Sequence, residues 1–228
     1  MARLRLAGDR LQVHAGLCRQ AQLDLASELV GQHFLVAALE RVEGCAHDRL
    51  GRRLRPVDVA HEVRVDEAHV HAEDLRALGA QFLAQDSIEA ARVQMETNFF
   101  GPLLTARAFA PVLAANRGGA IINVLSVASW INRPLLGVYG ATKSAAWALT
   151  NGLRHELREQ GTQVLGMHMG FVATDLTRGI DMPKSTPEEV VRRTLDALEA
   201  GAEEVLADEL TRQVKQGLSA EPAVYLAP

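Results

Sequence analysis

Residues 118–143 read GGAIINVLSVASWINRPLLGVYGATK, and the fold turns on this stretch. Gly118-Gly119 turns the chain into a short, mostly apolar run at 120–125, the composition a strand needs when both its faces are buried. Pro134 marks the loop behind that strand. From about 139 to 159 the apolar positions Ala146, Leu149, Leu153 and Leu157 fall three and four apart, which predicts a helix with Gly161 as its C′ residue.

The pattern continues on both sides. Upstream, 87–115 reads as one long helix, bent near Gly101-Pro102 because proline removes a backbone donor. Downstream, 163–168 is the next candidate strand. Ser185-Thr186-Pro187-Glu188-Glu189 then starts a helix, with a hydroxyl cap, proline in the first turn and acids behind it. That helix carries Val190, Val191, Leu195 and Leu198 and stops near Gly201, and 204–207 forms a last short strand before a polar tail with another amphipathic turn or two. Strands alternating with helix-length connections define a parallel α/β sheet with flanking helices.

The first 85 residues are written differently. No Thr precedes Thr97, no Ile precedes Ile88, no Asn precedes Asn98 and no Lys precedes Lys143, while six of the eight histidines fall within the first 71 residues. A shift of this kind marks a domain boundary or a change in sequence origin, so the chain divides into a segment 1–85 and a segment 86–228. Within 1–85, residues 17–42 read as one helix or two, and Val57, Val59, Val63 and Val65 alternate roughly like a strand. The glycines Gly8, Gly16, Gly31, Gly44, Gly51 and Gly79 lie too far apart to form a phosphate-binding turn.

The bulk numbers fit one soluble globular domain: 48% hydrophobic residues and a net charge of −4 give no reason to expect nucleic acid or anionic membrane as a partner. No apolar run reaches membrane-spanning length, and two cysteines are too few for a disulfide framework, so the expected compartment is the cytoplasm. Cys18, Cys45, His47, His61, His69 and His71 match no zinc spacing, and no metal site is expected. Arg52, Arg53 and Arg55 read as a solvated face. His168 reads as a packed strand residue, and Trp130 either lines a pocket or caps the core.

Four residues carry chemistry. Tyr139 and Lys143 lie four apart at a helix start, on one face, and Ser126 ends the buried strand, where parallel sheets present ligands. A phenol near pKa 10 is a poor base at neutral pH, and an adjacent ammonium favours its ionised form. A serine hydroxyl beside the phenol would hold and polarise a carbonyl oxygen.

With Asn98-Phe99-Phe100-Gly101, Ile122-Asn123-Val124-Leu125-Ser126 and Tyr139-Gly140-Ala141-Thr142-Lys143, and with thirteen residues from Ser126 to Tyr139, residues 98–217 resemble the short-chain dehydrogenase/reductase family. The resemblance implies a Rossmann-like fold and an oxidoreductase moving hydride between NAD or NADP and an alcohol or carbonyl. Tyr139 would be the general acid/base, Ser126 would orient the substrate, and Lys143 would lower the phenol pKa and bond the nicotinamide ribose. Asn98 would hold a water of the proton relay. Gly170, Val172 and Thr174 would face the nicotinamide, Thr174 bonding its carboxamide, although Met169-Gly170 stands where the family has Pro-Gly. The helices at 86–115 and 139–159 would pair copies into a dimer or tetramer.

Two family features are missing. No Gly-rich cofactor turn opens the chain, and His69-Val70-His71-Ala72-Glu73 stands where Asn-Asn-Ala-Gly is expected. Segment 1–85 therefore reads either as a divergent replacement of the cofactor lobe or, as the favoured reading, as an out-of-frame or wrongly assigned translation joined to an authentic frame. The rival to an active enzyme is a catalytically inactive remnant or interaction protein.

Overall fold

The structure, a computed structural model, describes residues 81–134, 136–174 and 177–226 in full, together with the backbone of residues 36–39. The strand expected at 57–65, all but four residues of the helix expected at 17–42, and the N-terminal histidines and cysteines lie outside the described residues. The exception is a correction: Val36–Leu39 is a strand, β1. It pairs antiparallel with the edge of the central strand, Val36 opposite Asn123 and Leu39 opposite Ala120. An edge offers a row of unpaired backbone groups, and a short apolar run read from sequence alone does not tell helix from strand.

Helix α1 (Ser87–Met95) runs through a π-helical turn, Glu96–Phe100, into α2 (Gly101–Ala115). The predicted interruption is thus present, and the turn takes a wider form than a simple bend. Pro102 has no N–H for the Asn98 carbonyl one turn back, and the Gly101 N–H bonds Glu96 instead, five residues earlier. Helix α2 closes with paired bonds from Gly118 N–H to Leu113 O (2.8 Å) and Arg117 N–H to Ala114 O (3.0 Å). Arg117 and Gly118 both take positive φ, 61° and 119°. A Cβ on Gly118 would stand 2.4 Å from the Gly161 carbonyl oxygen, so only glycine lets the two turns pass.

Strand β2 (Gly119–Val124) follows and is buried along nearly its whole length, as its composition requires. Helix α3 (Gly137–Glu156) carries the chain over to β3 (Thr162–His168), which lies parallel to β2 with Ile121 opposite Val164. Helix α4 (Pro187–Glu199) crosses to β4 (Glu204–Leu206), parallel to β3 with His168 opposite Leu206. The Thr186 cap is the predicted one: its hydroxyl accepts from Glu189 N–H, and the Glu189 carboxylate accepts from Thr186 N–H. Helix α5 (Glu209–Gly217) is capped in the same way by Asp208.

The sheet order is β1-β2-β3-β4. Alternation along the strands splits the core in two. Ile121 and Val164 face α2 and α3 through Leu113, Leu153 and Leu157, while Ile122, Val124, Leu165 and Met167 face α4 through Val190, Val191 and Leu195. Asn123, among the apolar residues of β2, is buried on the α3 side, where its amide donates to Thr150 Oγ1 at 3.0 Å. Helices lie on both faces, and Ser126, Tyr139 and Lys143 stand at the carboxyl end of β2, the end at which parallel sheets present ligands.

Candidate active site

Ser126 sits just beyond β2, where Leu125 and Val127 still bond the β3 side through Met167 O (2.7 Å) and Met169 O (2.9 Å). Its extended backbone (φ −149°, ψ 158°) starts a single 3₁₀ turn, Val127–Ser129. The Ser126 hydroxyl accepts from Ala128 N–H at 3.1 Å, and Ser129 Oγ accepts from Ser126 N–H at 3.3 Å. One lone pair of the hydroxyl is thereby used by the backbone. The same hydroxyl stands beside the Tyr139 phenol and favours its ionised form in part.

Tyr139 and Lys143 stand one turn apart in the first half of α3. The Lys143 ammonium lies 5.8 Å from the centre of the Tyr139 ring and donates to Val124 O at 3.0 Å, which fastens α3 to the end of β2. Lys143 is buried, and burial lowers its pKa from the usual 10.5 to about 8. Tyr139 departs from expectation. Its phenol is pushed up to about 12 by burial, against which the Ser126 hydroxyl acts only in part. The neutral phenol, not the phenolate, is the form this site favours, because burial penalises the anion more than the Ser126 hydroxyl favours it.

Asn98 lies in the π-helical turn, a geometry that often marks functional positions in long helices. Its amide donates to Thr142 Oγ1 at 3.0 Å, and that buried hydroxyl donates to Tyr139 O at 2.8 Å. Asn98 thus braces the turn of α3 that carries Tyr139. Thr142 was not singled out from the sequence, and a contact 44 residues distant leaves no local signal. Ser144 adds a second brace, donating to Ser129 O at 2.9 Å and to Gly140 O at 3.0 Å. Gly140 is packed so close to Asn132 that a Cβ would lie 2.9 Å from its amide nitrogen.

The segment after β3 runs beside the Ser126 turn, Val127 N–H bonding Met169 O. Gly170 N–H donates to Asp208 Oδ2 at 2.5 Å, so the α5 cap also holds this loop. The pattern Asp208-Glu209-Leu210-Thr211 is a legible cap, but its reach to Gly170 is not local. Val172 is buried and bridges to Ser185, and Ala173 N–H donates to Ser185 O at 2.9 Å. Thr174 Oγ1 is buried and has no hydrogen-bond partner among the described residues. An orphaned buried hydroxyl is costly, which suits it to a polar ligand group.

Among the described residues no three His, Cys, Asp or Glu side chains gather to hold a metal, and no helix is long and apolar enough to cross a membrane. Parallel strands flanked by helices, with Ser, Tyr and Lys side chains near one another at the carboxyl end of β2, define an α/β protein of the Rossmann-like class. Comparison narrows this: residues 77–184 match the short chain dehydrogenase family and belong to it.

The relatives agree. Short-chain dehydrogenase PC-15 of Penicillium crustosum is 46% identical over 79 residues, covering 35% of this chain and 29% of that protein. Dehydrogenase/reductase SDR family member 7B of Xenopus laevis is 31% identical over 150 residues, covering 59% of this chain and 44% of that one. The chain therefore spans less than half the length of both. A short chain dehydrogenase from Burkholderia cenocepacia, solved in complex with NADP, is 39% identical with a TM-score of 0.60, covering 65% of this chain and 64% of that chain.

Proposed function

We propose that this chain is an NAD(P)(H)-dependent oxidoreductase interconverting an alcohol and a carbonyl, with Tyr139 the proton-transferring residue. The observation that carries the reading is the Tyr139 phenol beside the Ser126 hydroxyl, with the Lys143 ammonium 5.8 Å from the ring. A phenol held at about 12 is a proton donor at neutral pH, the role needed where a carbonyl oxygen gains negative charge. Ser126 holds that oxygen, and the buried Lys143 ammonium supplies positive charge to whatever anion forms beside it. Asn98, through Thr142, keeps the phenol in place.

The nicotinamide cofactor supplies the hydride when bound. The residues present fit its nicotinamide end: Thr174 offers an unpartnered buried hydroxyl, and Lys143 a donor at the end of β2. NAD and NADP are both accommodated by this reading, and the NADP in the Burkholderia relative favours the phosphorylated form. The substrate is a small alcohol or carbonyl compound. Exposed Ile88, Phe100 and Leu104 along α1, the π turn and α2 support pairing of copies through these helices.

Tyr139→Phe tests the assignment. The variant should keep the far-ultraviolet circular dichroism of the parent and lose about 10²–10⁴-fold in kcat. Unchanged turnover would remove Tyr139 from the chemistry.

A second reading, a chain with the catalytic turn but no turnover, is favoured by the lack of a Gly-rich turn in residues 1–85. Titration with NADPH and NADH separates the two, micromolar binding supporting the enzyme and no binding at millimolar cofactor the remnant. The narrow residue alphabet of 1–85 supports its origin in another reading frame, and an intact frame on resequencing the locus overturns that origin.

A further inference from the structure

Beside Ser126 four side chains close a ring. His168, with 0% of its surface exposed, stacks on Trp130 with ring centres 3.8 Å apart and planes 21° apart. Its Nε2 faces Glu204 Oε1 at 3.3 Å, Glu204 Oε2 pairs with Lys215 at 2.8 Å, and Lys215 returns over the Trp130 ring at 4.7 Å. These residues come from the turn after Ser126, the end of β3, β4 and α5. A cation–π contact, an aromatic stack and an ion pair thus draw four segments together at one point.

The ring touches the candidate site at one atom. His168 Nδ1 lies 3.3 Å from the Ser126 carbonyl oxygen, in bonding geometry. Nε2 makes no aligned hydrogen bond despite its nearness to Glu204. Burial lowers the imidazole pKa below its usual value, so the ring is neutral at pH 7 and has one proton to give. A carbonyl oxygen can only accept, so the bond to Ser126 requires that proton on Nδ1.

We propose that His168 is a positioning residue for Ser126: its Nδ1–H holds the Ser126 carbonyl, and the Trp130–Glu204–Lys215 ring holds His168. The proposal rests on the reading of Ser126 as the residue that orients the substrate oxygen. With its N–H bonded to Ser129 Oγ, and its carbonyl accepting from Ser129 N–H at 2.9 Å and meeting His168 Nδ1 on its second lone pair, the Ser126 backbone is fixed at both ends, and the hydroxyl inherits that placement.

Two substitutions separate positioning from mere packing, because the two roles predict opposite orders. His168→Phe keeps an aromatic ring against Trp130 and removes the N–H, whereas His168→Asn loses the ring and places an amide N–H where Nδ1 stood. Positioning predicts that kcat falls about tenfold in His168→Phe with KM within about twofold, and recovers to within about threefold of the parent in His168→Asn. A space-filling role predicts the reverse, an active His168→Phe and an impaired His168→Asn, and that order overturns the proposal.

The second readout is fluorescence in the Trp147→Phe background, where Trp130 is the sole tryptophan of the chain's two. Its emission should stay put in His168→Phe and shift to the red in His168→Asn, showing that the stack is present. Unshifted emission in His168→Asn means that there is no stack and overturns the ring. Ser126→Ala in the same activity assay separates the two layers. Unchanged turnover there overturns the Ser126 reading itself. A dead Ser126→Ala beside a fully active His168→Phe overturns only the role of His168.

Discussion

Lys143→Met should change how stability depends on pH, by an amount that follows from burial. Lys143 is 4% exposed, and its pKa falls from 10.5 to about 8 on folding. Between those two values the unfolded chain still binds a proton at this position while the folded chain has released it. Stability therefore rises with pH across the window and is lowest below it, where the folded protein carries a buried charge. Integrated from about pH 7 to about pH 9.5, the gain is about 2 kcal/mol. The neutral methionine removes that dependence. It also strands the Val124 carbonyl, but that cost is equal at both pH values and cancels in the difference. Tyr139, held up at about 12, works in the opposite direction only where unfolded tyrosine ionises, near pH 10 and above, so the window ends short of it. Urea unfolding of the parent and of Lys143→Met at the two pH values gives the four free energies. The parent should gain about 2 kcal/mol more than the variant, and parallel behaviour within about 0.5 kcal/mol would refute the reasoning from burial.

Two further outcomes follow from the braces. In a double-mutant cycle with Asn98→Ala, Thr142→Val should show a coupling of about 1 kcal/mol through the 3.0 Å bond, and additive losses would mean the bond carries nothing. Gly118→Ala should cost about 3 kcal/mol or more in urea unfolding, since it meets both a positive φ and a backbone oxygen at 2.4 Å. Gly152→Ala, in α3 with open space around it, is the control and should gain about 0.4–1 kcal/mol.

How far these features could be foreseen depends on the range of the interaction. The Thr186 cap, the burial of β2 and the bend near Pro102 arise within one turn or one strand, and local residue types specify them. The meeting of Ser126, Tyr139 and Lys143 was legible because strand, loop and helix follow one another within a few turns of chain. Thr142 as the partner of Asn98, Asp208 as the partner of Gly170 and the stack of His168 on Trp130 span 38 to 44 residues, and nothing in their neighbourhoods announces them. The Tyr139 pKa went the other way from the sequence expectation for a related reason: spacing reveals a neighbouring charge, while burial depends on everything packed around the phenol.

By itself, the sequence determined the order of strands and helices, the parallel crossovers from β2 to β4 and the residues that meet at their carboxyl ends. Periodicity, caps and proline act over a few residues, so they are written where they act. Only the tertiary structure decided that Val36–Leu39 pairs along β2, that the phenol is held in its neutral form, and that His168 reaches the Ser126 carbonyl. Edge pairing, desolvation and ring stacking are set by what the folded chain brings alongside, and no local pattern records it.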